Sequence, residues 1–215
     1  MAINHTGYFD FTYAGLAARR NRRLVRFMAK KSVFGHRVAG PLMRGMKHIP
    51  VDRHAGGAAF DAAVAALRAG EIVGVFPEAT MSRAYELKPF KPGAVKMAQE
   101  AGVPILPTTV WGSQRVWSKN VPKHLGRSNI PVHVTVGAPL IVGADESVAD
   151  ANERLRAVMQ AQLDAQQAAY PPLAGDDLIY LPARLGGQAP TLEQAYAADH
   201  HDMTRTVDKF TRKKS

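Results

Sequence analysis

The 215-residue sequence contains no cysteine, which excludes disulfides, thiolate metal sites and a cysteine nucleophile. It has no run of about 18 uninterrupted apolar residues, so no bilayer-spanning helix is expected. No apolar stretch precedes residue 5, and a signal peptide is not expected either. Acidic side chains are also scarce: 18 Asp and Glu against 28 Lys and Arg give a net charge of +10. The imbalance is local. From Arg19 to Arg53 there are eleven Lys and Arg and a single acid, Asp52. Such a stretch attracts phosphates, whether of an anionic leaflet, a phosphorylated substrate or nucleic acid, unless it is simply a solvated face. No recognised nucleic-acid-binding motif accompanies it.

What is present suffices for one domain with a real core: 46% of the residues are hydrophobic. A mean hydropathy of −0.18 argues against a polytopic membrane protein. Residues 13–34 read as a helix, with Leu16, Leu24, Phe27 and Met28 apolar and Arg20, Arg23, Lys30 and Lys31 on a basic rim. That stripe suits either a membrane interface or a protein core. Ile49–Val51 reads as extended, with Pro50 unsuited to a central position. Phe60, Val64 and Leu67 mark a helix ending near Gly70, followed by an apolar strand at 72–76. A helix from Gly93 to Gly102 and a strand at 103–111 come next. Two prolines point to an edge or irregular position for that strand. Val132, Val134 and Val136 alternate as a half-buried strand, and a long helix is expected over 146–169. Strands alternating with helices indicate a single α/β domain over 1–172. Residues 173–215 read as a tail wrapping that domain, with a short helix near 192–198 and mobile last residues.

The candidate chemistry begins at the fifth residue. Asn4-His5 is followed after four residues by Asp10. A neutral imidazole takes a proton from a hydroxyl near pH 7, and a carboxylate in reach fixes its tautomer and stabilises the imidazolium. In a regular helix residues five apart diverge by about 140°. The segment should therefore be a turn, eased by Gly7, that leads into a helix. Further on, an apolar strand runs directly into Pro77-Glu78-Ala79-Thr80-Met81-Ser82-Arg83, a polar loop suited to the carboxyl edge of a sheet. No Gly-x-Ser-x-Gly elbow occurs.

Four blocks in this order resemble the glycerolipid acyltransferase family, in particular 1-acylglycerol-3-phosphate acyltransferases. Asn4-His5-x4-Asp10 resembles the family's His-x4-Asp motif. Ile49-Pro50-Val51-Asp52-Arg53 is similar to the second block, Phe76-Pro77-Glu78-Ala79-Thr80-Met81-Ser82 to the third, Phe-Pro-Glu-Gly-Thr-Arg-Ser, and Val103-Pro104-Ile105-Leu106-Pro107 to the fourth. The resemblance implies a mixed central sheet flanked by helices, with an upstream strand and membrane-associating segment ahead of the first block. It implies acyl transfer from acyl-coenzyme A or acyl-carrier protein to the free hydroxyl of 1-acylglycerol-3-phosphate, giving phosphatidic acid, at the cytoplasmic side of an anionic membrane surface, by a peripheral protein. The alternatives are a different lysophospholipid, glycolipid or alcohol acceptor, or a non-catalytic basic module that binds membrane or nucleic acid. Neither a cofactor nor a metal is expected, and nucleic acid is not an expected partner. His5 would be the base and Asp10 its orienting partner. Arg53 would hold the acceptor phosphate, while Glu78, Thr80, Ser82 and Arg83 would shape the acceptor site. Two departures stand out. Ala79 replaces a Gly, which is tolerable with φ below zero. Met81 replaces an Arg, for which Arg83, Lys88 or Lys91 could stand in.

Overall fold

The computed structural model describes residues 1–19, 21–52 and 56–211. Six strands form the centre: β1 (Ala2–Ile3), β2 (Val25–Lys30), β3 (Ile49–Val51), β4 (Ile72–Gly74), β5 (Pro107–Trp111) and β6 (His133–Val136). They pair as β3-β2-β4 and β1-β5-β6. A bridge between Ala2 and Val75, just past β4, joins the two halves. Ile3 N–H donates to Val75 O at 2.9 Å and Val75 N–H to Met1 O at 3.0 Å. The named strands pair in parallel except β5 with β6, and the bridge between Ile105 and Leu140 is antiparallel too. The result is the expected mixed sheet.

Successive residues of a strand face opposite sides, and the core divides accordingly. Ile3, Val25, Phe27 and Val110 pack with Ala14 and Ala18 of α1 (Asp10–Arg19). On the other face α4 (Gly56–Arg68) covers Ile49 and Val73. There α5 (Gly93–Ala101) and α7 (Val148–Ala168) pack on Ala2 and Trp111, through Val95, Leu155, Met159 and Leu163. The segments after the five parallel strands all leave from one edge of the sheet, where ligands of open α/β folds bind. Those segments begin with Asn4-His5, α2 (Lys31–Phe34) followed by α3 (Ala39–Gly45), Asp52, Val75-Phe76, and Gly112 leading into α6 (Ser113–Val116).

Three expectations are corrected. The helix foreseen over 13–34 stops at Arg19. Arg22 takes the left-handed conformation (φ 53°), its N–H donating to Arg19 O, and the chain then enters β2. The apolar residues that suggested one stripe do not share an element: Leu16 is exposed on α1, Leu24 is exposed between α1 and β2, and Phe27 is buried in β2. The strand expected over 103–111 begins only at Pro107, with irregular chain over 103–106, and it is interior rather than an edge. Pro107 begins β5, a position where a missing N–H costs no ladder bond, and its carbonyl accepts from Gly137 N–H at 2.8 Å. The short helix expected near 192–198 is α8 (Leu192–Thr211). It starts with a capping box in which Thr191 N–H donates to Gln194 Oε1 and Gln194 N–H to Thr191 Oγ1. The tail before it makes two 3₁₀ turns, Gly175–Tyr180 and Ala183–Leu185. It buries Tyr180, whose carbonyl accepts from Gln114 Nε2. The last residues, 212–215, lie outside the described residues. No described helix is long and apolar enough to cross a membrane.

Candidate active site

Asn4 prepares the turn. Its Oδ1 accepts from Val110 N–H at 2.7 Å and its Nδ2 donates to Val110 O at 3.0 Å, fastening the end of β1 to β5. The backbone of His5 is pinned on both sides by the loop after β4. His5 N–H donates to Glu78 Oε1 at 2.7 Å, and Ser82 N–H donates to His5 O at 2.7 Å. The imidazole stacks on Phe76, with centroids 4.3 Å apart. Its Nδ1 lies 3.1 Å from Asp10 Oδ2. With Nδ1 so engaged, Nε2 is the nitrogen left for a substrate proton.

Asp10 is fully buried at the first turn of α1, where the helix dipole favours a carboxylate. Its Oδ2 also accepts from Thr6 N–H at 2.7 Å and Gly7 N–H at 2.8 Å. Its Oδ1 accepts from the Ser113 hydroxyl. These donors hold the buried charge in one orientation and align the imidazole. Gly7 is required by proximity: a Cβ there would lie 2.9 Å from Ser113 O and Oγ. The Thr6 and Gly7 N–H groups, aimed at Asp10, are thereby committed within the protein.

Glu78 is buried, with Oε1 on His5 N–H and Oε2 on Lys88 N–H at 3.0 Å. Burial pushes its carboxyl up to about 8, against the opposing pull of the Lys88 and His5 N–H groups and the Lys88 charge. In this position it braces the loop that frames His5. Thr80 Oγ1 accepts from Lys88 Nζ. Ser82 is buried and holds His5 through its backbone. Arg83 pairs with Asp199 and Asp202 of α8. Met81 is buried, its sulfur 3.5 Å from Ser118 Oγ. Arg53 lies outside the described residues. Ala79 adopts φ +61°, so the condition under which Ala suits this position is not met.

Sequence reasoning assigned no role to Ser113, Asn4 or Asp199. Ser113 follows Gly112 directly after an apolar strand, the same strand-end placement that drew attention to Glu78 after β4. Asp199 gathers three cations: Lys88 Nζ at 3.0 Å, Arg83 Nε at 3.2 Å and Lys119 Nζ at 3.6 Å. Burial alone would raise its carboxyl, but the Lys88 hydrogen bond and the three positive charges outweigh that and hold it below the usual range.

A histidine with a buried carboxylate partner, set where the parallel strands of a mixed sheet end, is an arrangement able to take a proton from a hydroxyl. The family model described as Acyltransferase matches residues 1–111, and the chain belongs to that family. It is 33% identical over 113 residues to a 1-acyl-sn-glycerol-3-phosphate acyltransferase of Bacillus subtilis (strain 168), covering 52% of this chain and 55% of that protein. It is 36% identical over 72 residues to the protein of the same name from Borreliella burgdorferi, covering 34% of this chain and 28% of that one. The chain thus spans about half the length of the former relative and less of the latter. Its fold is shared with the crystal structure of the 1-acyl-sn-glycerophosphate (LPA) acyltransferase PlsC from Thermotoga maritima. The TM-score is 0.62 at 20% identity, over 80% of this chain and 67% of that one.

Proposed function

We propose that this chain transfers a fatty acyl group from an acyl thioester to the free hydroxyl of 1-acylglycerol-3-phosphate. His5 Nε2 takes the hydroxyl proton as the oxygen attacks the thioester carbonyl. Asp10 stabilises the resulting imidazolium. The tetrahedral intermediate collapses, the C–S bond breaks, and the leaving thiolate recovers the proton, giving a phosphatidic acid and a free thiol. No protein nucleophile takes part. The observation that carries this reading is the His5–Asp10 pair, with Asp10 buried under three further donors. The donor is coenzyme A- or carrier-protein-bound. The basic stretch from Arg19 to Arg53, with exposed Leu24, Val38 and Leu42, suits a peripheral seat on an anionic membrane surface.

The test is thiol release from palmitoyl-coenzyme A with and without lysophosphatidate. Release should require the acceptor, and His5→Ala should lower it by about 10²- to 10⁴-fold. Unchanged release in that variant would remove His5 from the reaction. A second reading, transfer to an acceptor without phosphate, is favoured by the burial of Met81 where the family has Arg and by the pairing of Arg83 with α8. Monoacylglycerol outperforming lysophosphatidate would select it.

A further inference from the structure

The cluster around Asp199 is built from two remote parts of the chain. Arg83, Lys88 and Lys119 belong to the catalytic body, while the carboxylate that draws them together comes from the tail. Lys88 is almost fully buried, and its ammonium pairs with Asp199 beside Thr80 Oγ1 and Met81 O. Donors remain unspent. Arg83 Nε faces Asp199 at 3.2 Å without hydrogen-bond alignment, and both it and the neighbouring Ser82 Oγ are buried with no hydrogen-bond partner among the described residues. A carboxylate offers two oxygens and one charge. A phosphate monoester offers three oxygens and a charge of about −1.5 to −2 at neutral pH, and so matches this donor set better. Among the described side chains of α8, 192–202, only Ala195 is buried, and Tyr196 is exposed. Asp199 and Asp202 tie this part of the helix to the body through ion pairs.

We infer that Arg83, Lys88 and Lys119, with Thr80, form a phosphate-monoester site, and that Asp199 fills it as an internal stand-in that leaves with α8 when the phosphate arrives. The lysolipid as the natural bearer of that phosphate rests on the function proposed above; the anion site does not. The site also gives the loop after β4 an anion-binding function despite Met81.

The experiment is hydrogen–deuterium exchange of the α8 amides in the full chain, at constant ionic strength. The additions are inorganic phosphate, lysophosphatidate, monoacylglycerol and chloride. Both phosphate compounds should speed exchange in α8 relative to chloride, and monoacylglycerol should not. Acceleration by lysophosphatidate alone still supports the site and makes the lipid headgroup its ligand; acceleration by both means that free phosphate also enters. No acceleration by either overturns the proposal.

Calorimetric titration with the responding phosphate compound gives the second arm. Asp199→Asn should bind it about tenfold tighter, as when the competent fraction rises from about one-tenth to near one. Lys88→Met should lose that binding. Unchanged affinity in Asp199→Asn means that the carboxylate is a permanent partner and overturns the stand-in. A chain that passes these tests yet releases no thiol keeps the anion site and loses the acyl-transfer reading.

Discussion

Two ionic centres lie along the same edge of the sheet, and they are assembled in opposite ways. Asp10 is surrounded by His5, the Thr6 and Gly7 N–H groups and Ser113, so its donors are mostly its own chain neighbours. The cations Arg83, Lys88 and Lys119 are met by Asp199, a carboxylate 111 residues beyond Lys88. The first centre needs the local turn, the end of β5 and the loop after β4 that frames His5. The second depends on docking of a terminal helix. A catalytic pair benefits from groups fixed before the substrate arrives. A binding site benefits from a partner that can be exchanged.

The comparison is broken most directly at its rigid end. Asp10→Asn removes the charge that stabilises the imidazolium, and turnover should fall by about 10²- to 10⁴-fold. A drop of only a few-fold, measured as kcat at saturating substrates, would make Asp10 a purely structural residue. Ser113→Ala removes one charge-assisted bond from the same carboxylate. We expect kcat to fall about tenfold, the equivalent of about 1.4 kcal/mol, with both KM values retained. A change confined to KM would place Ser113 against substrate instead.

Between the two centres stands Glu78, which touches His5 and Lys88 through their backbones. In Glu78→Gln the amide NH₂ would face one of those N–H groups, costing about 1–3 kcal/mol of stability at low pH. The folded carboxyl titrates near 8 against an ordinary 4.5, so between those values the folded chain keeps a proton that the unfolded chain has released. Wild-type stability relative to the Gln variant should thus be largest below 4.5 and decline as pH rises through about 8. A pH-independent difference in denaturant titrations would show that Glu78 ionises as an ordinary carboxyl. The smallest effect concerns Ala79, held at φ +61°. Ala79→Gly relieves the Cβ crowding of the left-handed region and should raise stability by about 1 kcal/mol. No rise in Tm would contradict the strained turn.

The same contrast explains what the sequence revealed. The turn from His5 to Asp10 was legible because its parts lie within six residues, and four motif blocks in order pointed to the family. The helices that begin at Gly56, Gly93 and Val148 were legible from their apolar spacing, the first two also from the glycines at their ends. The join between α1 and β2 was not, since Leu16, Leu24, Phe27 and Met28 fit a helical period whether or not they share a helix. Ser113 shows in the sequence only as a strand-end residue and Asp199 leaves no local trace, because each meets its partner across about a hundred residues. The capping box of Thr191 and Gln194 was readable and would have marked where α8 begins, though not its length.

Asn4 has one more consequence. A side-chain amide carries a donor and an acceptor side by side, as a peptide group does, and here both are spent on the same residue of β5. The side chain therefore acts as a spare rung of the ladder. The sheet gains the rung while the main chain is already free to veer away, so β1 can be two residues long and still anchor the turn beyond it. His5 sits at that fork, splinted to the stiffest part of the molecule by a group that is not backbone at all.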